Sequence, residues 1–240
     1  MKIFAKSEKG LLRNSNQDRY YFECSRDEFS WVIVCDGMGG TNGGDVASSM
    51  AVDTIKEEMQ KFKQNFDFKS FMAEIFKKTN KKIYEKSKND TNLKGMGTTV
   101  VFGLIFKDRL QVVHAGDSRA YTITSDYNIK QITHDHSMVQ EMLEQGKITS
   151  DQAKNHPQKN IITRSLGVSD DIDLDYTEVL LDKEDILLFC TDGLTNSLGN
   201  EKILDTVLNL PKDEFLASKL VECAKKSWGE DDVTVVFAFN

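Results

Sequence analysis

The chain has 240 residues, 39% of them hydrophobic and 29% charged, an ordinary globular composition that is neither that of a disordered chain nor that of a membrane-spanning one. Its 31 basic and 38 acidic side chains leave a formal charge of −7, which argues against nucleic acid or an anionic membrane as a partner held by a general basic field. Only two prolines and no Ser/Gly-rich or charge-block linker interrupt it, so one domain over 1–240 is expected.

Met1 to Glu8 carries no apolar signal core and no cleavage site, and no apolar run approaches the roughly 18 residues of a membrane span. A cytoplasmic protein is expected. After Arg13-Asn14-Ser15-Asn16-Gln17-Asp18, the run 31–35 predicts a buried strand that delivers Asp36 into a glycine-lined bend, Gly37-Met38-Gly39-Gly40. A helix is expected from about 45 to 62 and another over 68–83, where Phe68, Met72, Ile75, Phe76 and Ile83 share a face opposite lysines. Strands follow at 98–106, 109–115 and 118–124. The loops between and after them, Lys107-Asp108 and Ser125 to Asn128, are short enough to force antiparallel neighbours.

Residues 134–167 break the pattern. Ser137-x-x-Gln140 predicts a capped helix stopped by Gly146, and Thr149-x-x-Gln152 a second one ended by His156-Pro157. This is a small helical insertion beside the sheet. A strand at 186–190 then runs into Thr191-Asp192-Gly193, two amphipathic helices carry Ile203 to Leu208 and Phe215 to Ala224, and Asp231-Asp232 opens a strand at 233–239. The order is α+β.

Two Asp-Gly corners behind apolar strands, a third Asp at a strand start and the N-terminal Asp18 suggest a carboxylate cluster for hard divalent cations. If Asp18, Asp36, Asp192 and Asp231 converge, they raise each other's pKa unless cations bind among them. Two such ions would offset the charge and activate a water for in-line attack on phosphorus. Arg13 supplies a planar fork for two phosphate oxygens. Other phosphate chemistries fail on residues. The positions six beyond Cys24, Cys35, Cys190 and Cys223 are Ser30, Thr41, Asn196 and Gly229, so the arginine of a cysteine-dependent phosphatase is missing. Gly146-Lys147-Ile148 is no Walker loop, and Gly37-x-Gly39-x-x-Asn42 lacks the last glycine of a dinucleotide fingerprint.

The segments Arg13-x-x-Asn16-x-Asp18, Asp36-Gly37-Met38-Gly39-Gly40, Gly97-Thr98-Thr99, Gly116-Asp117-Ser118-Arg119, Thr163-Arg164-Ser165-Leu166-Gly167, Thr191-Asp192-Gly193 and Asp231-Asp232-Val233-Thr234 occur in an order and spacing that resembles the metal-dependent protein phosphatases of the 2C family, most closely its bacterial branch. The resemblance implies a four-layer α-β-β-α sandwich of two antiparallel sheets, with a manganese or magnesium pair at one edge and a flap over about 134–160. It also implies hydrolysis of phosphoserine and phosphothreonine on proteins, by a monomer that opposes a Ser/Thr protein kinase in signal transduction. Asp36 would bridge both metals, Gly37 would offer its carbonyl to one of them, Asp192 and Asp231 would complete the first metal's shell, and Asp18 would hold the second largely through water. Asp117 would bind a third, weaker metal with Asp192, and Arg13 would hold the phosphate. Met38 stands where many eukaryotic members carry a histidine, so the general acid is unassigned, a metal-bound water being preferred to His134, His136 or His156. Asp231 takes the ligand role by register, with Asp232 beside it as an extra carboxylate. The alternative is a phosphatase-like module that binds without hydrolysis.

Overall fold

A computed structural model describes residues 1–24, 29–63 and 66–239, with backbone only at 40–42. In chain order it runs β1 (Lys2–Glu8), β2 (Asp18–Glu23), β3 (Ser30–Met38), α1 (Gly40–Met59), α2 (Phe68–Asn89), β4 (Gly97–Thr98), β5 (Val100–Phe106), β6 (Arg109–Ala115), β7 (Arg119–Ile123) and β8 (Ile129–Gln131). The flap helices α3 (Met138–Glu144) and α4 (Ser150–Lys154) follow. The chain then continues through β9 (Asp175–Leu180), β10 (Ile186–Cys190), α5 (Asp192–Ser197), α6 (Asn200–Asn209), α7 (Glu214–Ser227) and β11 (Val233–Phe239). No described helix is long and apolar enough to cross a membrane.

The strands form two antiparallel sheets, β1-β11-β10-β7-β8 and β2-β3-β5-β6-β9, with β4 appended to β3. Because successive side chains of a strand point to opposite faces, each central strand feeds two cores. Val32 and Val34 of β3 meet Phe189, Val236 and Ala238 of the other sheet, whereas Trp31, Ile33 and Cys35 pack under α1 and α2. On β11, Val235 and Phe237 turn the other way, toward α7. The result is the expected α-β-β-α sandwich. Strands covered on both faces read as unbroken apolar runs, which is why the central ones are plain in the sequence. The layers sit close at Gly103, where an added Cβ would lie 2.4 Å from the Phe189 ring of the opposite sheet.

The α2 helix starts where Asp67 accepts the Ser70 amide at 2.8 Å and buries Met72, Ile75, Phe76 and Ile83. Each such side chain contributes about 1.5–3 kcal/mol, so Phe76→Ala would cost about 3–5 kcal/mol. The helix runs six residues beyond the expected end at 83, to Asn89, because Ser87 stays buried and bonds the Leu93 carbonyl.

Several expectations are corrected. Asp36 and Gly37 are not a bend: they continue β3, whose Gly37 and Met38 pair with Thr98 and Gly97 of β4, and the chain turns only at Gly39, with φ 122°. The expected strand 98–106 is split at Thr99 into β4 and β5. Thr191-Asp192-Gly193 opens a short helix, α5, that has no apolar periodicity to announce it. Arg13, five residues before Asp18, stands in a loop ahead of β2. In the flap the Thr149–Gln152 capping box closes both ways, but at Ser137 only half forms, because the Gln140 side chain turns to Glu144 at 3.0 Å.

Candidate active site

Both sheets contribute acids to one edge. β2 and β3 pair in a register that sets Asp18 opposite Asp36, so the first residue of one strand meets a late residue of the other. Asp36 is fixed by its backbone: its amide donates to Thr99 Oγ1 at 2.9 Å, and its carbonyl accepts from the Thr99 amide at 2.8 Å. Gly37 is glycine for contact rather than conformation. A Cβ there would lie 2.0 Å from the Gly44 carbonyl oxygen, so α1 packs its backbone directly on β3.

From the other sheet, β10 ends at Cys190 and hands Asp192 to the first turn of α5, where Asn196 Nδ2 donates to Asp192 Oδ2 at 2.9 Å. Thr191 Oγ1 and Thr234 Oγ1 both donate to Asp18 Oδ2, at 2.9 and 2.7 Å, and so tie an acid of one sheet to two strand ends of the other. Asp117 lies on the Gly116-Asp117-Ser118 link that crosses from β6 to β7, one in each sheet; Ser118 and Thr99 share a 2.7 Å hydroxyl contact. Arg13 Nη2 and Nε reach Asp231 Oδ1 at 2.6 and 2.8 Å, and its Nη1 makes one long 3.4 Å bond to Gln17.

Asp232 is otherwise employed. Its Oδ1 accepts the Gly10 amide at 2.8 Å and its Oδ2 the Gln17 amide at 2.7 Å, so both oxygens hold backbone. This separation of two adjacent aspartates favours Asp231 as the one that faces a ligand.

Burial pushes the Asp18 carboxyl up to about 8, against the Thr234 and Thr191 hydrogen bonds and with the charges of Asp232 and Asp192 adding to it. Burial likewise holds Asp36 well above the carboxylate range, with Asp18, Asp192, Asp117 and Asp231 all adding repulsion. Asp117 and Asp192 are raised for the same two reasons, burial first and a neighbouring aspartate second. The expected convergence is therefore present as mutual repulsion. Asp18 Oδ1, Asp117 Oδ1 and Asp192 Oδ1 are also buried without a hydrogen-bond partner. Orphaned carboxylate oxygens are the donors that hard divalent cations take, and the residues present fit manganese or magnesium.

The sequence matches the family profile of Protein phosphatase 2C over residues 13–223. The chain belongs to that family. It is 33% identical over 234 residues to the serine/threonine phosphatase stp of Listeria welshimeri, covering 96% of this chain and 92% of the relative. It is 35% identical over 250 residues to the protein phosphatase PhpP of Streptococcus pneumoniae, covering 98% and 96%. Among solved structures, the serine/threonine phosphatase Stp1 of Staphylococcus aureus superposes with a TM-score of 0.93 at 30% identity, over 100% of this chain and 94% of that one. The catalytic domain of the phosphatase PstP, solved in complex with two manganese ions, gives 0.87 at 31% identity over 99% and 97%.

Within this family member, a second buried cluster lies at the base of the flap. His114, His136 and Asp175 present ligand-type atoms within 4.8 Å of one another, and sequence reasoning overlooked them as a group. Hydrogen bonds decide what the cluster is. Gly116 N–H donates to His136 Nδ1 at 3.2 Å, so the proton of neutral His136 sits on Nε2, facing Asp175 at 3.3 Å. Arg164 completes the network at 2.9 Å from Asp175. His114 Nε2 lies 2.8 Å from the His134 carbonyl while its Nδ1 is buried without a partner, and the cluster joins β6 and β9 to the two ends of the flap. His134 is engaged with Glu144 on the flap itself. Sequence reasoning assigned no role to Thr191 and Thr234, or to Ser7, whose Oγ lies 2.7 Å from Thr234 Oγ1; the repeated Thr near Asp192 and Asp232 was the available signal for the first two. The two thiols nearest the site are buried and held protonated: burial raises Cys35 strongly and pushes Cys190 up to about 12.

Proposed function

We propose that this chain hydrolyses phosphoserine and phosphothreonine esters on proteins at the edge built from Asp18, Asp36, Gly37, Asp192 and Asp231, with Arg13 holding the phosphate. The three buried, unpartnered carboxylate oxygens around Asp36 carry this reading. Two divalent cations, manganese or magnesium, supply the neutralising charge and the activated water when bound. The chain's own part is to position. Asp36 sits between the acids of both sheets, Asp18 is clamped by two threonines, and Asp231 aligns the Arg13 fork so that its free edge can take two phosphate oxygens. Asp117, beside Asp192, is placed to recruit a third cation.

The finer reading is a monomer whose 240 residues act as one catalytic domain with a flap at about 134–160. It works in the cytoplasm, and its substrates include a Ser/Thr protein kinase that it opposes. The test is turnover of a phosphothreonine peptide and of nitrophenyl phosphate with added manganese, repeated in excess chelator. Activity that survives the chelator overturns the metal mechanism, and a folded, manganese-loaded protein that turns over neither substrate favours the silent binding module.

A further inference from the structure

Gly116, the residue before Asp117, has both of its backbone groups taken by one residue of the flap. Its N–H donates to His136 Nδ1 at 3.2 Å, and its carbonyl accepts the His136 N–H at 3.0 Å. His136 is 4% exposed, so water does not replace a bond lost there. Gly116 has little room to settle elsewhere: its φ is 110°, and a Cβ would lie 2.6 Å from Thr99 Cγ2. The flap also closes on His136. Its carbonyl accepts the Thr163 N–H at 2.9 Å, the next residue, Ser137, bridges to Ile162, and its Nε2 faces Asp175. Asp36 has no such tie, because its amide and its carbonyl both bond to Thr99.

We propose that His136 is a positioning residue for Asp117, through which the seating of the flap sets the third cation site while the Asp36 centre stays independent of it. This rests on the reading of Asp117 as the acid that recruits a third cation. Asp117 Oδ1 is buried and meets no donor, so the backbone on either side has to aim it. On the far side the Ser118 hydroxyl is held 2.7 Å from that of Thr99; on the near side Gly116 is held by His136. Removing the Nδ1 acceptor therefore releases one of two anchors. Protonation of a poor leaving group suffers, and attack on phosphorus does not.

The experiment compares His136→Gln with His136→Asn. A Gln amide ends where Nε2 stands, which keeps the contact with Asp175 and loses the acceptor for Gly116; an Asn amide ends where Nδ1 stands and restores that acceptor. At saturating manganese, His136→Gln is expected to lose about three- to tenfold more activity on a phosphothreonine peptide than on nitrophenyl phosphate, and His136→Asn to return that ratio toward wild type. In an Asp117→Ala background His136→Gln shifts the ratio no further. Asp175→Asn, which loosens the same network on its other side, leaves the ratio near wild type. Equal losses on both substrates, absence of rescue by Asn, an additive shift in the double variant or a matching shift in Asp175→Asn overturns the role.

A second measurement leaves His136 in place. Coupling is reciprocal, so manganese added beyond what the Asp36 centre takes up should slow amide hydrogen exchange at Met138 and Thr163, whose N–H groups close the flap, in wild type but not in Asp117→Ala. Equal protection in the two proteins overturns the coupling. If Asp117→Ala itself loses both activities in proportion, the third-cation reading fails and the role falls with it; a split in Asp117→Ala that His136→Gln does not share overturns the role alone.

Discussion

Two clusters of ionisable groups, one buried and one only partly so, are built on opposite principles. The edge formed by Asp18, Asp36, Asp117 and Asp192 gathers like charges, with carboxylate oxygens that meet no donor. The His114, His136, Asp175 and Arg164 network under the flap gathers opposite charges, and its hydrogen bonds join four segments of chain. A cluster of like charges awaits a cation, whereas one that pairs opposite charges holds structure, even with His114 Nδ1 buried and unpartnered. Burial alone does not tell them apart, since burial is the leading influence on the Asp36 and on the His136 pKa alike.

The sharpest way to break this contrast is Asp36→Asn. Phosphatase activity should fall about a thousandfold or more, with most manganese affinity lost and the fold retained; full turnover at saturating manganese contradicts the assignment. The next largest effect separates two neighbours. Asp231→Asn should cost activity and weaken the hold on Arg13, while Asp232→Asn, which weakens bonds to two buried amides, should cost about 1–3 kcal/mol of stability each way it is measured, by urea or by heat. Equal effects of the two on manganese binding, read by calorimetry, would erase the distinction drawn between them.

Asp117→Ala should lose about tenfold more activity on a phosphothreonine peptide than on nitrophenyl phosphate, because a serine or threonine alkoxide needs a proton on leaving and a nitrophenolate does not. Proportional losses would remove Asp117 from proton delivery.

The smallest effect is also the most diagnostic, because the clusters should respond to pH with opposite sign. Carboxyls raised in the folded state bind more protons than the unfolded chain between their ordinary 3.8 and, for Asp18, about 8, so the metal-free protein loses stability as pH rises through that window. His114 and His136 are lowered by burial from 6.5, so their contribution is present above that value and is lost as pH falls below it. Melting of the metal-free protein should therefore decline by several degrees on the alkaline side, and manganese should flatten that limb. His136→Asn should change only the acid limb. An alkaline decline that manganese leaves untouched would dissolve the comparison.

The four strands that the sequence did not announce are β1, β2, β8 and β9, the two edges of each sheet. Their residues, such as Lys2-Ile3-Phe4-Ala5-Lys6-Ser7-Glu8, mix charge with apolar side chains because an edge has one open flank and charge there discourages pairing with other chains. The central strands, covered on both faces, were legible for the reason these were not. At the site, the order of Arg13, Asp36, Asp192 and Asp231 was visible as motifs, but Asp-Gly was taken for turn chemistry. Only the close approach of Gly44 shows why Gly37 continues a strand. The imidazole network was invisible because its members come from β6, the flap entrance and β9, with no shared spacing.

The acids of the site ride on different layers: Asp18 and Asp36 on one sheet, Asp192 and Asp231 at strand ends of the other. Their mutual distances are thus set by how far apart the sheets stand, and the site acts as a caliper on the sandwich. Gly103, packed flush against Phe189, is one of the points that fix that gap. A methyl group added there would wedge the layers and register at the far edge as weaker cation binding, although it touches no acid at all.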